Sequence, residues 1–156
     1  SASGTVDQAF CTRRSCPAAS ATVPESYTGV REPVTVRLVS LPEHAPFLNG
    51  VYLRRGSMPE ADDEIVVNEV FAEANALLPG DRFSVTIHGH AKRLRISGIG
   101  LSPEHIFQLR GTEVFPDDHL FGVVWIGERA LASAMDMSGA FNDVSLRLGP
   151  GASQER

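Results

Sequence analysis

The residues of this chain whose types could do chemistry are first of all its histidines. His88 and His90 are two positions apart, a spacing that in a strand directs both imidazoles to the same side, and His105 or His119 is a candidate third metal ligand. Metal sites normally add a cysteine or a carboxylate at a recognisable spacing, which is missing here. We therefore interpret the pair as exposed turn residues around Gly89, and expect no metal and no cofactor.

Other catalytic patterns are weaker still. The stretch "SGIGLSP" begins like a dinucleotide-binding loop, but Pro103 stands where the third glycine would be and no long helix follows. The sequence contains no G-x-S-x-G elbow. The acidic run "PEADDE" lacks the alternating ligands and the glycine of a calcium loop, so it predicts a solvated loop. These observations predict a protein without catalytic residues, which is not an enzyme.

Composition limits the remaining classes. The chain has 156 residues, of which 42% are hydrophobic and 21% are charged, and this balance is typical of a folded chain with one core or two small lobes. A formal net charge of −5 leaves no basic surplus to neutralise a phosphate backbone, so we expect no nucleic-acid partner. No apolar run of 18 residues occurs, and we expect neither a membrane span nor an export signal within this sequence.

The first thirty residues are rich in Ser, Thr, Ala and Pro and lack periodicity. We expect this segment to be largely irregular, with one short strand near Ala21 to Val23. Cys11 and Cys16 lie within it, and their position favours a local disulfide or two idle thiols over a zinc site, because a second pair of ligands is missing.

Alternating apolar residues predict the strands that would position any site. "PVTVRLVS", "VYLRRG", "EIVVN", "RFSVTI", "KRLRISGI", "HLFGVVWIG" and "NDVSLRL" are the predicted strands. The turn "HGHA" joins two of them in a hairpin. Ser102 and Pro103 predict a single helical turn in "SPEHIF", and "ERALASAM" predicts a short amphipathic helix.

A further helix follows "EIVVN". Asn68 is a favourable N-cap, and the apolar face consists of Val70, Phe71, Ala74, Leu77 and Leu78. The proline and glycine that follow, at positions 79 and 80, predict its end. Hairpins followed by a strand–helix–strand unit predict a mixed α+β fold with two lobes.

The order of three segments adds a resemblance. "LRRGSMPEADDEIVVNEVFAEANALLPGDRFSVTIHG", "RLRISGIGLSPEHIF" and "FGVVWIGERALASAMDMSGAFNDVSLRL" resemble, in sequence, the extracytoplasmic (periplasmic core) domain of bacterial FtsX-like and MacB-like ABC transporter permeases. The resemblance divides the chain into an irregular segment 1–33, which could belong to a porter-like lobe, a permease domain 34–148 and a tail 149–156.

The resemblance implies a two-lobed periplasmic domain, with a β-rich hairpin lobe carrying one helix and a strand–helix–strand, porter-like lobe. It implies a position on the periplasmic or extracellular face of the bacterial cytoplasmic membrane, as a domain of an integral membrane protein. The implied role is non-catalytic: a cytoplasmic ATPase subunit hydrolyses ATP, and the domain passes the motion to a periplasmic partner or to a lipid, lipoprotein, peptide or other cargo.

Contacts with such a partner are expected where apolar side chains lie on loops, because these groups are costly to leave in water unless a partner covers them. The connector "SPEHIFQLRGTEVFPDD" contains four such residues, Ile106, Phe107, Leu109 and Phe115. Alternatively they fill the seam between two lobes. The alternative for the whole chain is a free-standing binding or enzyme-accessory module with a small β-barrel, because "LPGDRFSVTI" followed by a hairpin also suits that architecture.

Overall fold

The computed structural model describes residues 15–22, 34–42, 50–87, 89–105 and 118–136. Within these ranges the chain forms strands β1 (Ser15–Thr22), β2 (Val34–Leu41), β3 (Tyr52–Gly56), β4 (Glu64–Asn68), β5 (Arg82–Ile87), β6 (His90–Leu101) and β7 (Phe121–Gly127). The helices are α1 (Glu69–Ala74), a 3-10 turn (Pro103–His105) and α2 (Glu128–Ala134). No helix in these ranges is long and apolar enough to cross a membrane.

The described strands form one seven-stranded sheet in the order β3-β6-β4-β7-β2-β1-β5. Strand β5 also pairs with β6, so that all strands except β3 form a closed ring. The ring closes because β6 is long enough to pair with strands on both of its halves. Its first half, from His90 to Arg95, pairs with β5, and its second half pairs with β4 and β3. Two pairs, β2–β7 and β4–β6, are parallel and the others are antiparallel, so the predicted mixed α+β class is confirmed.

The inside of the ring holds the larger core cluster. On β5 the side chains of Phe83, Val85 and Ile87 are buried while the intervening residues are exposed, as the alternation predicts. Both helices add side chains to this cluster, among them Phe71 from α1 and Leu131 from α2. The amphipathic helices therefore complete the hydrophobic core that the strands form.

The strands β4 and β7 are buried on both faces, unlike β5. A second cluster of buried side chains lies on the face away from the main core and comprises Val39, Val66, Val123 and Trp125. Continuous apolar runs such as "EIVVN" and "FGVVWIG" are typical of strands covered on both sides. The strand β7, predicted for a second lobe, thus lies within the same sheet as the hairpin, between β4 and β2.

The start of helix α1 is confirmed and its end is corrected. The Asn68 side chain accepts a hydrogen bond of 2.9 Å from the Val70 backbone N–H, as an N-cap does. The helix ends at Ala74 and not at the predicted proline and glycine, because the Leu77 N–H donates to the Ala72 carbonyl at 2.8 Å and the Ala76 N–H donates to the Glu73 carbonyl at 3.2 Å, the hydrogen bonds of a helix C-cap. Ala76 then adopts a positive φ of 52°.

The early end of α1 changes its predicted apolar face. Phe71 and Leu77 are buried, but Val70 is 41% exposed and Leu78 is 55% exposed. Leu78 lies beyond the end of the helix, whereas Val70 lies in its first turn and faces solvent.

The N-terminal segment also differs from the prediction. Residues 15–22 form β1, which pairs with both β2 and β5 and so completes the ring, whereas the sequence predicted an irregular segment with a short strand near Ala21. The residues of this strand are small and show no alternation of apolar and polar side chains, and its pairing is decided by partners distant in sequence. The predicted single helical turn is confirmed as a 3-10 turn, and helix α2 is confirmed. The predicted strand "NDVSLRL", residue Cys11 and His88 lie outside the described residues.

Candidate interaction surface

The four connector residues predicted as an interaction surface, Ile106, Phe107, Leu109 and Phe115, lie outside the described residues. The structure describes the chain up to His105, whose buried ring faces Trp125 with the ring centroids 6.0 Å apart. His105 therefore lies beside the second core cluster, and the contacts of the four connector residues stay a prediction.

The histidines that the sequence suggested as metal ligands have different surroundings. His90 and His119 are exposed, at the start of β6 and in the turn before β7, whereas His105 is buried. Within the described ranges, no three His, Cys, Asp or Glu side chains are grouped so that they could hold a metal ion.

The glycines of "SGIGLSP" have a packing role. A Cβ atom on Gly98 would lie 2.6 Å from the Ser57 carbonyl oxygen and 2.7 Å from the Leu53 Cδ1 atom. Such distances are too short for a side chain, so glycine is needed for β3 to approach β6. Close packing of the two strands therefore accounts for the glycine at position 98.

The acidic loop is solvated except for its last member. Residues 60–63 are exposed as predicted, but Glu64 is only 8% exposed. Its carboxylate accepts a hydrogen bond of 2.8 Å from the Glu60 backbone N–H and one of 3.4 Å from that of Ala61, and pairs with Arg95. These donors, led by the Glu60 N–H, hold the pKa of Glu64 below its ordinary value although burial opposes the shift. Glu64 therefore fixes the loop.

A groove lined by apolar and charged side chains lies between β3 and α1. It has a volume of about 290 Å³ and is lined by Arg55, Glu69, Ala72, Glu73, Ala76, Leu77, Leu78 and Ile99. We call this set of residues the β3–α1 groove. Apolar side chains form most of its floor, and its charged groups stand at the rim, so that the groove has the general character of a small binding site.

The register of β3 places an aromatic residue on the same face. Tyr52 pairs with Leu101 and Arg55 pairs with Ile99 on β6, and directly opposed residues project to the same face of a sheet. Because Ile99 and Leu101 are two positions apart, Tyr52 lies on the groove face, and it is 67% exposed. Tyrosine and arginine are enriched in protein interfaces.

An irregularity in β3 adds a second arginine. The pairing register shifts between Leu53 and Arg55, so that Arg54 and Arg55 together oppose one residue of β6. The Arg54 Nε atom lies 3.2 Å from the Glu69 Oε1 atom at the start of α1. Within the described part of the chain, the Arg55 side chain makes no hydrogen bond or ion pair, although it lines the groove.

A second depression, of about 380 Å³, lies between residues 58–62 and the start of α2. Two of its charged lining residues, Glu128 and Arg129, already make interactions within the protein. The other two, Glu60 and Asp62, belong to the acidic loop that Glu64 fixes.

Sequence reasoning did not select the groove residues. A signal was available in "VYLRRG", where two adjacent arginines interrupt the alternation of a predicted strand, as a bulge would. The exposure of Leu78 had no such signal, because its helical spacing placed it on the predicted buried face.

The architecture is an α+β fold shared with a domain that lies outside the membrane in an ABC transporter, as the sequence resemblance predicted. The chain is similar to the crystal structure of the extracellular domain of the noncanonic ABC-type transporter YknZ from Gram-positive bacteria. The two share 12% sequence identity with a TM-score of 0.55, and the match covers 94% of this chain and 69% of the other. No protein-family model matches the chain, and no curated protein does.

Proposed function

We propose that this chain is a non-catalytic extracytoplasmic domain of an ABC transporter permease. In this role it lies on the periplasmic or extracellular face of the cytoplasmic membrane, and couples ATP hydrolysis by a cytoplasmic subunit to a periplasmic partner or cargo. The observation that carries the proposal is the likeness to an ABC transporter's extracellular domain over 94% of the chain. Because fold alone does not fix function, location and coupling need separate tests.

Location is tested by thiol labelling in the parent protein. Cys11 and Cys16 are replaced by Ser, and one cysteine is introduced at the exposed Glu60. A membrane-impermeant maleimide is expected to label this cysteine in intact cells, or in cells with a permeabilised outer membrane. A matched cysteine at the fully buried Val66 is expected to react only after denaturation. Labelling of Glu60→Cys only after cell lysis would contradict the proposed location.

Coupling is tested with the connector residues, which we propose as a contact surface for the partner. In the proposal, Ile106, Phe107, Leu109 and Phe115 are covered by the partner in at least one state of the transport cycle. The double substitution of Phe107 and Phe115 by Ser is expected to leave the thermal midpoint of the chain nearly unchanged. ATP hydrolysis by the reconstituted permease should then no longer respond to the partner or cargo. A collapse of stability would show that these residues belong to the core instead.

A two-lobed division is part of the proposal. The domain boundaries at 34–148 and a second lobe follow from the resemblance, but β7 and α2, which the sequence assigned to that lobe, belong to the same sheet and core as the hairpin. Burial of Trp125 and Val66 on the second face of the sheet supports a further layer there. Limited proteolysis of the chain is expected to yield two protected fragments if the lobes are separable. A single protected core without intermediate fragments would favour one undivided domain.

The runner-up is a free-standing binding or enzyme-accessory module. The closed ring of strands favours it, because small closed sheets serve many unrelated binding functions. The two proposals differ in the fractionation of the parent protein: the permease domain is expected in the membrane fraction with the ATPase subunit, and the accessory module is expected outside it.

A further inference from the structure

The depression next to the start of α2 is formed where the parallel strands β2 and β7 end side by side. Leu41 pairs with Gly127 at these strand ends, so Pro42 and the first turn of α2 line the same space as the loop before β4. We call this depression the acidic groove; it is lined by Leu41, Pro42, residues 58–62 and residues 127–130. Its volume of about 380 Å³ lies near the lower end of the range for small-molecule sites, about 300–1,000 Å³, and suits one long side chain.

The loop on one side of the acidic groove is held in place from below. The buried carboxylate of Glu64 accepts hydrogen bonds from the backbone N–H groups of Glu60 and Ala61, and the Glu64 N–H donates to the Ala61 carbonyl at 3.0 Å. The backbone that carries the Glu60 and Asp62 side chains is therefore ordered before any partner binds. Such preorganisation lowers the conformational entropy that binding would otherwise cost.

The unengaged charges of the acidic groove all have one sign. Its charged lining residues are three carboxylates, Glu60, Asp62 and Glu128, and one guanidinium, Arg129. Glu128 and Arg129 already make interactions within the protein. Among the residues that the structure describes, the side chains of Glu60 and Asp62 make no hydrogen bond or ion pair. The acidic groove therefore offers two carboxylates to a partner, unlike the β3–α1 groove, which has unengaged groups of both signs.

The chemistry of the acidic groove selects a cationic side chain as its occupant. No three His, Cys, Asp or Glu side chains of the described ranges are grouped to hold a metal ion, so the two carboxylates do not indicate a divalent cation. Together with the net charge of −5, they disfavour nucleic acid and anionic lipid. Lysine and arginine match both parts of the groove, because the methylene stem covers apolar surface while the charged end stays at the solvated rim.

We propose that the acidic groove binds a protein segment that lays one lysine or arginine side chain along the floor formed by Leu41, Met58 and Ala130. The charged end of this side chain donates hydrogen bonds to the carboxylates of Glu60 and Asp62, and charge-assisted bonds of this kind are stronger than neutral ones. The biological setting of the contact rests on the proposed function. Binding itself is a property of this chain and is tested without transport.

The test uses three tripeptide probes, N-acetyl-glycyl-X-glycine amides in which X is arginine, norleucine or glutamate. Each is titrated into the complete ¹⁵N-labelled chain, and binding is followed by amide chemical shifts. Norleucine keeps an unbranched apolar stem but has no charge. The arginine probe is expected to bind about threefold or more tightly than the norleucine probe, and the glutamate probe should bind most weakly. The largest shifts should fall on Leu41, Met58 and Gly127.

Removal of the rim charges checks the role of the carboxylates. The double variant Glu60→Gln, Asp62→Asn is expected to bind the arginine and norleucine probes equally. Asp63→Asn is the matched control, because it makes the same change in the same exposed loop but outside the groove lining, and it should keep the preference for arginine. All three positions are exposed, so these variants are expected to fold, and their amide spectra check it.

A substitution at Gly127 checks the place of binding. A Cβ atom on Gly127 would meet no atom within 4 Å, and its φ of −55° is open to any residue, so Gly127→Leu fills the acidic groove without a clash at Cβ. This variant should weaken the arginine and norleucine probes alike, whereas the double variant should weaken only the arginine probe.

Three results would overturn the proposal. Equal affinities of the wild-type chain for the arginine and glutamate probes would remove the role of the carboxylates. Shifts located away from the groove, or no saturable shift with any probe, would remove the site. A monomer–dimer equilibrium abolished by the double variant would assign the groove to a second copy. None of these results bears on the labelling test of location, so failure of the groove and failure of the transporter role are distinguishable.

Discussion

The contact between Phe71 and Gly122 joins helix α1 to the central strand β7 and offers a quantitative test of the fold. The Phe71 side chain is only 1% exposed. A Cβ atom on Gly122 would lie 2.6 Å from the Phe71 Cγ atom and 2.8 Å from both Cδ atoms, so the ring rests directly on the glycine. Phe71→Ala removes a buried ring and is expected to cost about 3–5 kcal/mol of unfolding free energy. At an m-value near 2 kcal/mol per molar, the urea midpoint falls by about 1.5–2.5 M.

A double-mutant cycle isolates the contact. Gly122→Ala alone inserts a methyl group against the ring and is expected to cost about 1–3 kcal/mol. In the Phe71→Ala background the same methyl group enters the space that the ring has left. The double variant should therefore be more stable than the sum of the single effects predicts, with a coupling energy of about 0.5–3 kcal/mol. Urea unfolding followed by circular dichroism measures all four proteins.

The control uses the exposed neighbour on the same helix. Val70 is 41% exposed, so Val70→Ala should change stability by about 0.5 kcal/mol or less and should add to Gly122→Ala without coupling. If Phe71→Ala and Gly122→Ala were also additive, the placement of α1 on β7 would be refuted. An unchanged midpoint for Phe71→Ala would refute the burial of the ring.

Two further changes test how the loop before β4 and the start of α1 are held. Glu64→Gln should lower stability at neutral pH. The difference in stability from wild type should shrink as the pH falls below the ordinary glutamate pKa of 4.5 and through the lower folded value, because protonation of Glu64 then removes the same stabilisation from the wild-type protein. The exposed Glu73→Gln is the matched control in urea melts at several pH values, and a pH-independent difference for Glu64→Gln would contradict the reasoning. Asn68→Ala should cost about 1 kcal/mol of unfolding free energy through the lost N-cap, whereas Asn68→Ser should keep most of the stabilisation by the cap. Equal losses of stability in the two variants would argue against capping.

Local patterns were sufficient for most of the described strands. Alternation along β5 and the continuous apolar runs of β4 and β7 predicted these strands near their observed positions. The N-cap at Asn68 and the turn at Pro103 were also correct, because capping depends on residues a few positions apart. The end of α1 was missed, because the residue that ends it in a left-handed conformation is Ala76 and not the glycine or asparagine that usually marks a helix C-terminus.

The candidate site was less accessible to sequence reasoning. The connector residues were selected for their apolar character on a loop, and their contacts stay a prediction. Arg55 was visible as a charged residue of a short strand, but only the structure shows that its neighbour Arg54 is the arginine that pairs with Glu69. A site of this kind is defined by which neighbours are already paired, and pairing is a property of the folded chain.

The sequence by itself determined the α+β class of the fold: its alternating and continuous apolar runs require a sheet with a buried core, and its caps and turns begin and end several elements. The order of those elements carried the resemblance to a transporter domain. Only the tertiary structure decided that β1 joins β2 and β5 to close the ring, and that the bulge in β3 leaves Arg55 at an open groove. The physical reason is that strand pairing is selected by partners distant in the chain, whereas periodicity reports only which face of an element is apolar.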